Sequence, residues 1–344
     1  MNQLPADFIQ NLYAAFGRAA TEEWIARLPR LLAQAASRWD LELGASVDAL
    51  SYNYVCFAKR FPSPVIGRGV RGEGRECILK IGIPNRELTS EIECLKAWGG
   101  VAFRPTVHLL ESDSENGLLL LERLRPGAPL ATIADDDRAT EIAADLMLRF
   151  WIPSGRLKSP LRQQSRPLSA ESTEVDFAEV AAISIADPDF ITLKGWFDEL
   201  KNLRPRFHGG TGPFPIKLVE TVEGILPDLF REDEPLYLIH GDCHHYNILS
   251  HGNEWRVIDP KGVIGAREYE IAPFMLNPLY TPRPNLKRET TRRLDIFSER
   301  LGLDRQRLWA WTVAHSVLSA WWDLQEDGSG GEHTIASGEI FLEL

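Results

Sequence analysis

With 344 residues, 44% hydrophobic and 25% charged, the chain has an ordinary soluble globular composition and is long enough for one large domain or two medium ones. Its formal net charge of -11 argues against nucleic acid or an anionic membrane as the main partner and would suit a cationic small molecule. The four cysteines, Cys56, Cys77, Cys94 and Cys243, form no Cys-x-x-Cys pair and read as small buried side chains in a reducing compartment. No basic, apolar leader opens the chain and no apolar run approaches a membrane span, so a cytoplasmic protein is expected.

Residues 7–38 place Phe8, Leu12, Phe16, Trp24, Leu28, Leu31 and Leu32 at helical spacing, which predicts two helices broken near Gly17–Thr21. A strand is predicted from Ser51 to Ala58, then a Gly- and Pro-rich connection over 62–75, then a second strand, Cys77–Ile81. Gly67-Arg-Gly69-Val-Arg-Gly72 matches the dinucleotide fingerprint, but a strand, not a helix, follows it. Only eight residues separate Gly72 from Lys80, too few for a kinase Gly-rich loop, so 62–75 reads as an exposed hairpin connection. Thr89–Trp98 reads as a helix with Ser90 as its cap. Val107–Glu111 and Leu118–Glu122 read as a strand pair turned at Asp113–Gly117, with Pro126-Gly127 as the exit from the sheet. Helices are then predicted at Ala139–Trp151, 176–204, 216–231, 287–301 and 305–326, with an irregular stretch at 152–175. The expected architecture is α+β and two-lobed. Residues 1–124 form a small sheet lobe, and residues 125–344 form a helical lobe with one internal hairpin.

The hairpin carries the most specific pattern in the chain. His240-Gly-Asp242-Cys-His-His-Tyr-Asn247 is followed by Ile258-Asp259-Pro260. This H-x-D-x-x-x-x-N pattern, with an Asp on a later strand, is the kinase arrangement of base, first metal ligand and second metal ligand. His240 and Asp242 are the candidate catalytic residues, and Asn247 and Asp259 the candidate Mg²⁺ ligands. A hairpin centred on residue 253 would put Asn247 opposite Asp259, where two hard oxygens could share one cation with the phosphates of ATP.

The nucleotide side follows from the same chemistry. Lys80 sits in an apolar strand and needs an anionic partner. Glu91, eleven residues on, is placed to pair with it, whereas Glu93 is rotated about 200° around the helix. Ser51 and Asn53, in the turn before the first strand, are expected to face phosphate. Glu122 and Leu124 are expected at a hinge whose backbone bonds adenine.

These residues resemble a known group. His-Gly-Asp-x-His-x-x-Asn is similar to the loop of the aminoglycoside phosphotransferase superfamily. Asp259-Pro260-Lys261-Gly262, Tyr269-Glu270, Asn277-Pro278, Leu50–Val55 and Leu318–Trp322 resemble the streptomycin 6-phosphotransferase branch, also called the aminoglycoside/hydroxyurea resistance kinases. The resemblance runs from about residue 40 to 326. It implies a kinase-like fold, ATP and Mg²⁺, and transfer of the γ-phosphate to a hydroxyl of a small polar molecule. The region 152–215 has no motif that matches.

On the acceptor side, Glu268, Glu270, Trp322, Asp323, Glu326 and Asp327 are candidates. Carboxylates would pair with guanidinium or ammonium groups, and the indole would stack on them. Lys261 is expected either to neutralise phosphate or to pair with a nearby acid. A kinase of a metabolic sugar or amino sugar is the alternative within the same chemistry. A metal-dependent hydrolase using His240, Asp242, His244 and His245 is the alternative outside it, and leaves Asn247, Asp259, Lys80 and Glu91 without roles. A non-catalytic nucleotide-binding module would leave the base and both metal ligands unexplained. A protein kinase does not fit, because Pro260 replaces the Phe of Asp-Phe-Gly.

Overall fold

The computed structural model describes residues 4–61, 73–99, 105–154, 190–278, 285–327 and 330–344. Two helices open the chain, Ala6–Phe16 and Arg18–Arg38, and the break is Gly17 alone, at φ 77°. A five-stranded antiparallel sheet follows, in the spatial order 41–46, 54–60, 75–81, 118–122, 109–113. The outer strand Leu41–Ser46 escapes the sequence reading. Its Leu-Glu-Leu-Gly-Ala-Ser has one fully buried position at most, so its alternation is weak. The first expected strand begins at Tyr54, because Ser51–Asn53 form the turn before it.

Period-two alternation decides what each side of this sheet does. Cys77, Leu79 and Ile81 join Leu118 and Leu120 beneath the leading helices, in a core with Phe8, Leu12, Trp24 and Leu28. The Trp24 indole donates to the Gly82 carbonyl at 3.2 Å and ties the helical layer to the end of the Lys80 strand. The alternate residues, Ile78, Lys80, Leu119 and Leu121, face the other way. Three of them pack on the larger core, and the fourth, Lys80, is the charged side chain that the pattern delivers to the cleft.

The helix after the sheet spans Arg86–Gly99. Its cap is Asn85, whose Oδ1 accepts from Leu88 N–H at 2.8 Å. The expected cap, Ser90, is instead buried in the second turn. Its hydroxyl donates to the Gly262 carbonyl at 2.6 Å and accepts from Ile191 N–H at 3.2 Å. Pro126–Pro129 is not simply an exit from the sheet. It pairs with Ile248–His251, which pairs in turn with Glu254–Val257, giving a three-stranded sheet under the cleft. Helices Asp136–Phe150, Ile216–Leu229, Leu286–Leu301 and Arg305–Asp327 enclose the second core, and Glu332–Phe341 adds a terminal helix that the sequence reading omits. The expected helix over 176–204 is replaced, within the described residues, by short turns of helix at Leu193–Asp198, Glu199–Asn202 and Leu203–Arg206. The connection 62–72, its Gly-x-Gly match, and 155–189 lie outside the described residues.

The hairpin register differs by one from the sequence expectation. Ile248 pairs with Val257 and His251 with Glu254, so the loop is Gly252-Asn253. Gly252, at φ 59°, fills the first loop position, where a two-residue hairpin turn favours positive φ. Asn247 therefore stands opposite Ile258, whose N–H donates to the Asn247 carbonyl at 2.9 Å. Asp259 lies one residue further on, where the chain turns through φ 56°.

Gly262 is required by contact. A Cβ there would stand 2.5 Å from the Ser90 carbonyl oxygen, and the backbone sits at φ 63°. Gly262→Ala should lower the free energy of unfolding by about 1–3 kcal/mol, read from the urea midpoint. Gly252→Ala, with nothing within 4 Å and φ 59°, should cost only the left-handed penalty, about 1–2 kcal/mol. Equal costs would show that the Ser90 contact exerts no constraint.

Candidate active site

Lys80 is the centre of the site. Its ammonium is buried and donates to both carboxylate oxygens of Glu91, at 2.7 and 2.8 Å, and to Asp259 Oδ1 at 3.3 Å. Burial alone would lower the Lys80 pKa, but Asp259 and Glu91 outweigh it and raise it, so the lysine stays charged. Burial likewise raises the Asp259 carboxyl, yet Lys80 and Lys261 bring it below the ordinary range. Glu93, the competitor two residues on, pairs with Lys96 at 2.7 Å instead.

The loop before the hairpin is held from below. The His240 imidazole is fully buried between Trp98 and Phe150, each centroid 6.2 Å away. Its Nε2 lies 2.8 Å from the Ile258 carbonyl and its Nδ1 accepts from Asp242 N–H at 3.2 Å. A carbonyl can only accept, so the proton is on Nε2. Burial pushes the His240 pKa down to about 4, and the ring is neutral near pH 7. His240 therefore positions Asp242 and Ile258 and does not reach the cleft.

Glu270, expected to meet the acceptor, is also buried, and this corrects the sequence reading. Its carboxylate accepts from His240 N–H at 2.8 Å, Gly241 N–H at 3.0 Å and the Trp151 indole at 3.3 Å. It shapes the loop from inside. Glu268 also turns away from the cavities, with Arg307 Nε at 4.0 Å. The side chains of Glu326 and Asp327 lie outside the described residues.

Above this support, Asp242 faces the cleft with about a third of its side chain exposed. Asn247 Nδ2 donates to the Asp242 carbonyl at 2.9 Å, which occupies the amide nitrogen and turns Oδ1 toward other work. His244 Nε2 is 3.7 Å from Asp242 Oδ1. Asp242, Asn247, Asp259, Lys80, Ser51 and Asn53 line one cavity of about 490 Å³. The one-residue difference in hairpin register does not separate the oxygens, because the turn at Asp259 returns its carboxylate to the same cavity. Two hard oxygen donors beside Asp242 fit Mg²⁺ better than a softer metal. Among the described residues no group of three His, Cys, Asp or Glu could hold a metal ion, and His245 is stacked on Phe274 at 3.9 Å. Of the histidines that the hydrolase alternative invokes, His240 is committed to the Ile258 carbonyl and the Asp242 amide, and only His244 borders this cavity.

A second cavity, about 410 Å³, lies between the sheet and the hairpin and is lined by Val55, Phe57, Ile78, Leu121, Leu124, Leu249 and Ile258. Apolar walls suit a flat heteroaromatic ring. Leu124 and Glu122 both border it, but the Glu122 carboxylate is already taken by His108 N–H at 2.9 Å and by the Arg256 guanidinium. At Glu122 and Leu124 that leaves the backbone for a ring.

A third cavity, about 450 Å³, adjoins Asp242 on the helical side. Trp322 and Asp323 line it, as the sequence suggested. His244, expected only under the hydrolase alternative, lines it too, as do Trp196, Glu199 and His315, which the sequence reading missed as site residues. Trp196 and Trp322 meet edge to face at 5.2 Å, and the Trp322 indole donates to Glu199 Oε2 at 3.1 Å. Trp196 and Glu199 stand one helical turn apart in the motif-free region, which is a signal only once Trp322 is known to face them. Buried Arg293 fixes the wall by donating to the Phe274 and Asn277 carbonyls at 2.9 and 2.7 Å.

With that geometry in view, comparison decides the lineage. Residues 55–188 and 181–328 match the family described as aminoglycoside/hydroxyurea antibiotic resistance kinase. The chain belongs to that family. It is 30% identical to a streptomycin 6-kinase of Streptomyces griseus over 94% of this chain and 91% of the relative. It is 28% identical to a hydroxyurea phosphotransferase of Kitasatospora aureofaciens, covering 99% of this chain and 86% of that one. Its fold resembles a choline kinase from Streptococcus pneumoniae at a TM-score of 0.54 and 13% identity, covering 92% and 98% of the two chains. This member of the resistance-kinase family is thus a small-molecule phosphotransferase with an alcohol group as acceptor. Among its described residues, no helix is long and apolar enough to cross a membrane.

His315 gives this site a measurable pH signature. Burial holds its pKa near 4, so the folded protein keeps it neutral while the unfolded chain protonates it below 6.5. Its contribution is complete above pH 6.5 and is lost as pH falls toward 4. The cost of His315→Asn should therefore shrink by about 2 kcal/mol between pH 7 and pH 5 in urea unfolding. An equal cost at both pH values would contradict a buried neutral ring.

Proposed function

We propose that the protein transfers the γ-phosphate of ATP to a hydroxyl of a cationic aminocyclitol such as streptomycin. The observation that carries this reading is the convergence of Asp242, Asn247, Asp259 and Lys80 on one cavity that opens into an acidic, tryptophan-lined one.

Lys80, fixed by Glu91, binds α- and β-phosphate oxygens, and the apolar slot beside Leu124 takes the adenine. Ser51 and Asn53 border the phosphates. Asn247 and Asp259 would hold Mg²⁺, which would supply charge neutralisation on the phosphate oxygens. Asp242 accepts a hydrogen bond from the acceptor hydroxyl, orients it and takes its proton late in the transfer. Positioning is the larger share of the work, since the transferred group is loosely bonded in the transition state. His240 and Glu270 act through the backbone of residues 240–242 and touch no substrate. On the acceptor side Trp322, Glu199 and Asp323 would receive a guanidinium or ammonium group: the indole face attracts the cation and the carboxylates pair with it. The streptomycin 6-kinase relative supports that choice of acceptor. An uncharged sugar would offer these carboxylates hydroxyl donors but no opposite charge.

Asp242→Ala should reduce kcat by about 100- to 10,000-fold while the affinity for MgADP, read by calorimetry, stays unchanged. Full turnover in that variant would sink the kinase assignment of this loop. Asp259→Ala should instead weaken Mg²⁺-dependent nucleotide binding itself. Trp322→Ala should raise the KM for streptomycin about tenfold and spare the KM for ATP. A rise confined to ATP would move Trp322 off the acceptor side.

A further inference from the structure

The Lys261 side chain is the feature that the reading above leaves unused. Its backbone could hardly be more constrained. Lys261 N–H donates to the His240 carbonyl at 2.8 Å, Pro260 precedes it, and the close contact of Gly262 with Ser90 follows it. The side chain thus starts from a fixed point, two residues from Asp259 and bonded through its own amide to the residue that carries the Asp242 loop. It lines both the cavity that holds Asn247 and Asp259 and the cavity that holds Trp322 and Asp323, and Asp242 lines both as well. Base and ammonium therefore border the passage between the two.

Charge makes the position significant. The first cavity is lined by Glu87, Glu91, Asp242 and Asp259 against two cations, Lys80 and Lys261. The Lys80 charge is already shared by two carboxylates. Lys261 is bonded to one, Glu87, and that partner is half-exposed where the Lys80 partner Glu91 is buried. Water screens a half-exposed pair, so exchanging Glu87 for a phosphoryl oxygen costs little. Lys261 is about a third exposed and stands among Glu87, Glu91, Asp242 and Asp259, so it is an ammonium at neutral pH.

We propose that Lys261 is a catalytic residue that contacts the transferred phosphoryl group, with Glu87 as its resting partner. This rests on the kinase reading of Asp242 and its neighbours. In the transfer, the acceptor oxygen bonds to the γ-phosphorus as the bond to the departing diphosphate oxygen breaks. The hydroxyl proton passes to Asp242. Lys261 keeps all its protons and meets the charge on the oxygens in flight, where a preorganised donor contributes most.

The test needs no acceptor. ADP with Mg²⁺ and aluminium fluoride mimics the phosphoryl group in flight, and binding is followed by calorimetry against MgADP alone. Lys261→Met should weaken the aluminium fluoride complex about 100-fold and leave MgADP affinity within about twofold. Lys261→Arg should restore most of the loss, and Glu87→Gln should leave the complex at least as tight as in the wild type. Wild-type affinity for the complex in Lys261→Met would overturn the proposal. So would a parallel loss of MgADP affinity reproduced by Glu87→Gln, which would make the pair a brace for the helix Arg86–Gly99. Failure of the wild type to bind MgADP would be a different result, overturning the nucleotide reading and this proposal with it.

Discussion

One buried ammonium joins three parts of the molecule. Lys80 comes from the middle of the five-stranded sheet, Glu91 from the helix Arg86–Gly99, and Asp259 from the end of the hairpin. Burying a lysine without partners is costly, so the ion pair is also a constraint on where the helix and hairpin can sit. Removing Glu91, the buried partner, would leave Lys80 poorly compensated, typically a loss of about 3–5 kcal/mol for a buried pair; Asp259 is half-exposed, and its removal leaves the Glu91 pair in place. Two of these elements, the helix and the segment after the hairpin, meet a second time at Ser90 and Gly262, where a side-chain hydroxyl and a glycine fix their spacing. Together the two contacts set the width of the cavity in which Asp242, Asn247 and Asp259 meet.

The second organising feature is the amount of buried polar structure beneath a short exposed loop. Glu270 accepts from two consecutive backbone N–H groups, and His240 bridges the Asp242 amide to the Ile258 carbonyl. Each bond lies within an apolar surround where an unmade partner would be expensive. That cost is offset at both Glu270 oxygens and both His240 ring nitrogens, each of which has a partner. That explains why the three histidines of the motif do not gather at one point: His240 lies in the core, His245 packs on Phe274, and of the three only His244 borders the cavities.

Much of this was legible in the chain. Lys80 and Glu91 were found because a lysine in an apolar strand demands an acid, and helical geometry separates Glu91 from Glu93. The turn residues reveal the hairpin but not its register, since sequence alone does not say whether His251 pairs with Glu254 or belongs to the turn. Glu270 was assigned to the acceptor because an acid beside a catalytic motif looks functional. Its burial depends on a loop folding back over it, which no local pattern reports. Ser90 misled for a related reason: a serine near a helix start resembles a cap, and only the tertiary approach of Gly262 reveals its real partner. Trp196 and Glu199 were invisible because their meaning comes from Trp322, more than a hundred residues away.

The cavity on the helical side of Asp242 gathers two nearly perpendicular indoles with the carboxylates of Glu87, Glu199 and Asp323, and the proposed cationic acceptor rests on that combination. The most direct measurement is Mg²⁺- and ATP-dependent ADP release across streptomycin, other aminocyclitols, amino sugars and simple hexoses. The account predicts ADP release with streptomycin or a related cationic aminocyclitol and none with neutral hexoses. Turnover with a neutral hexose and silence with every cationic acceptor would contradict it.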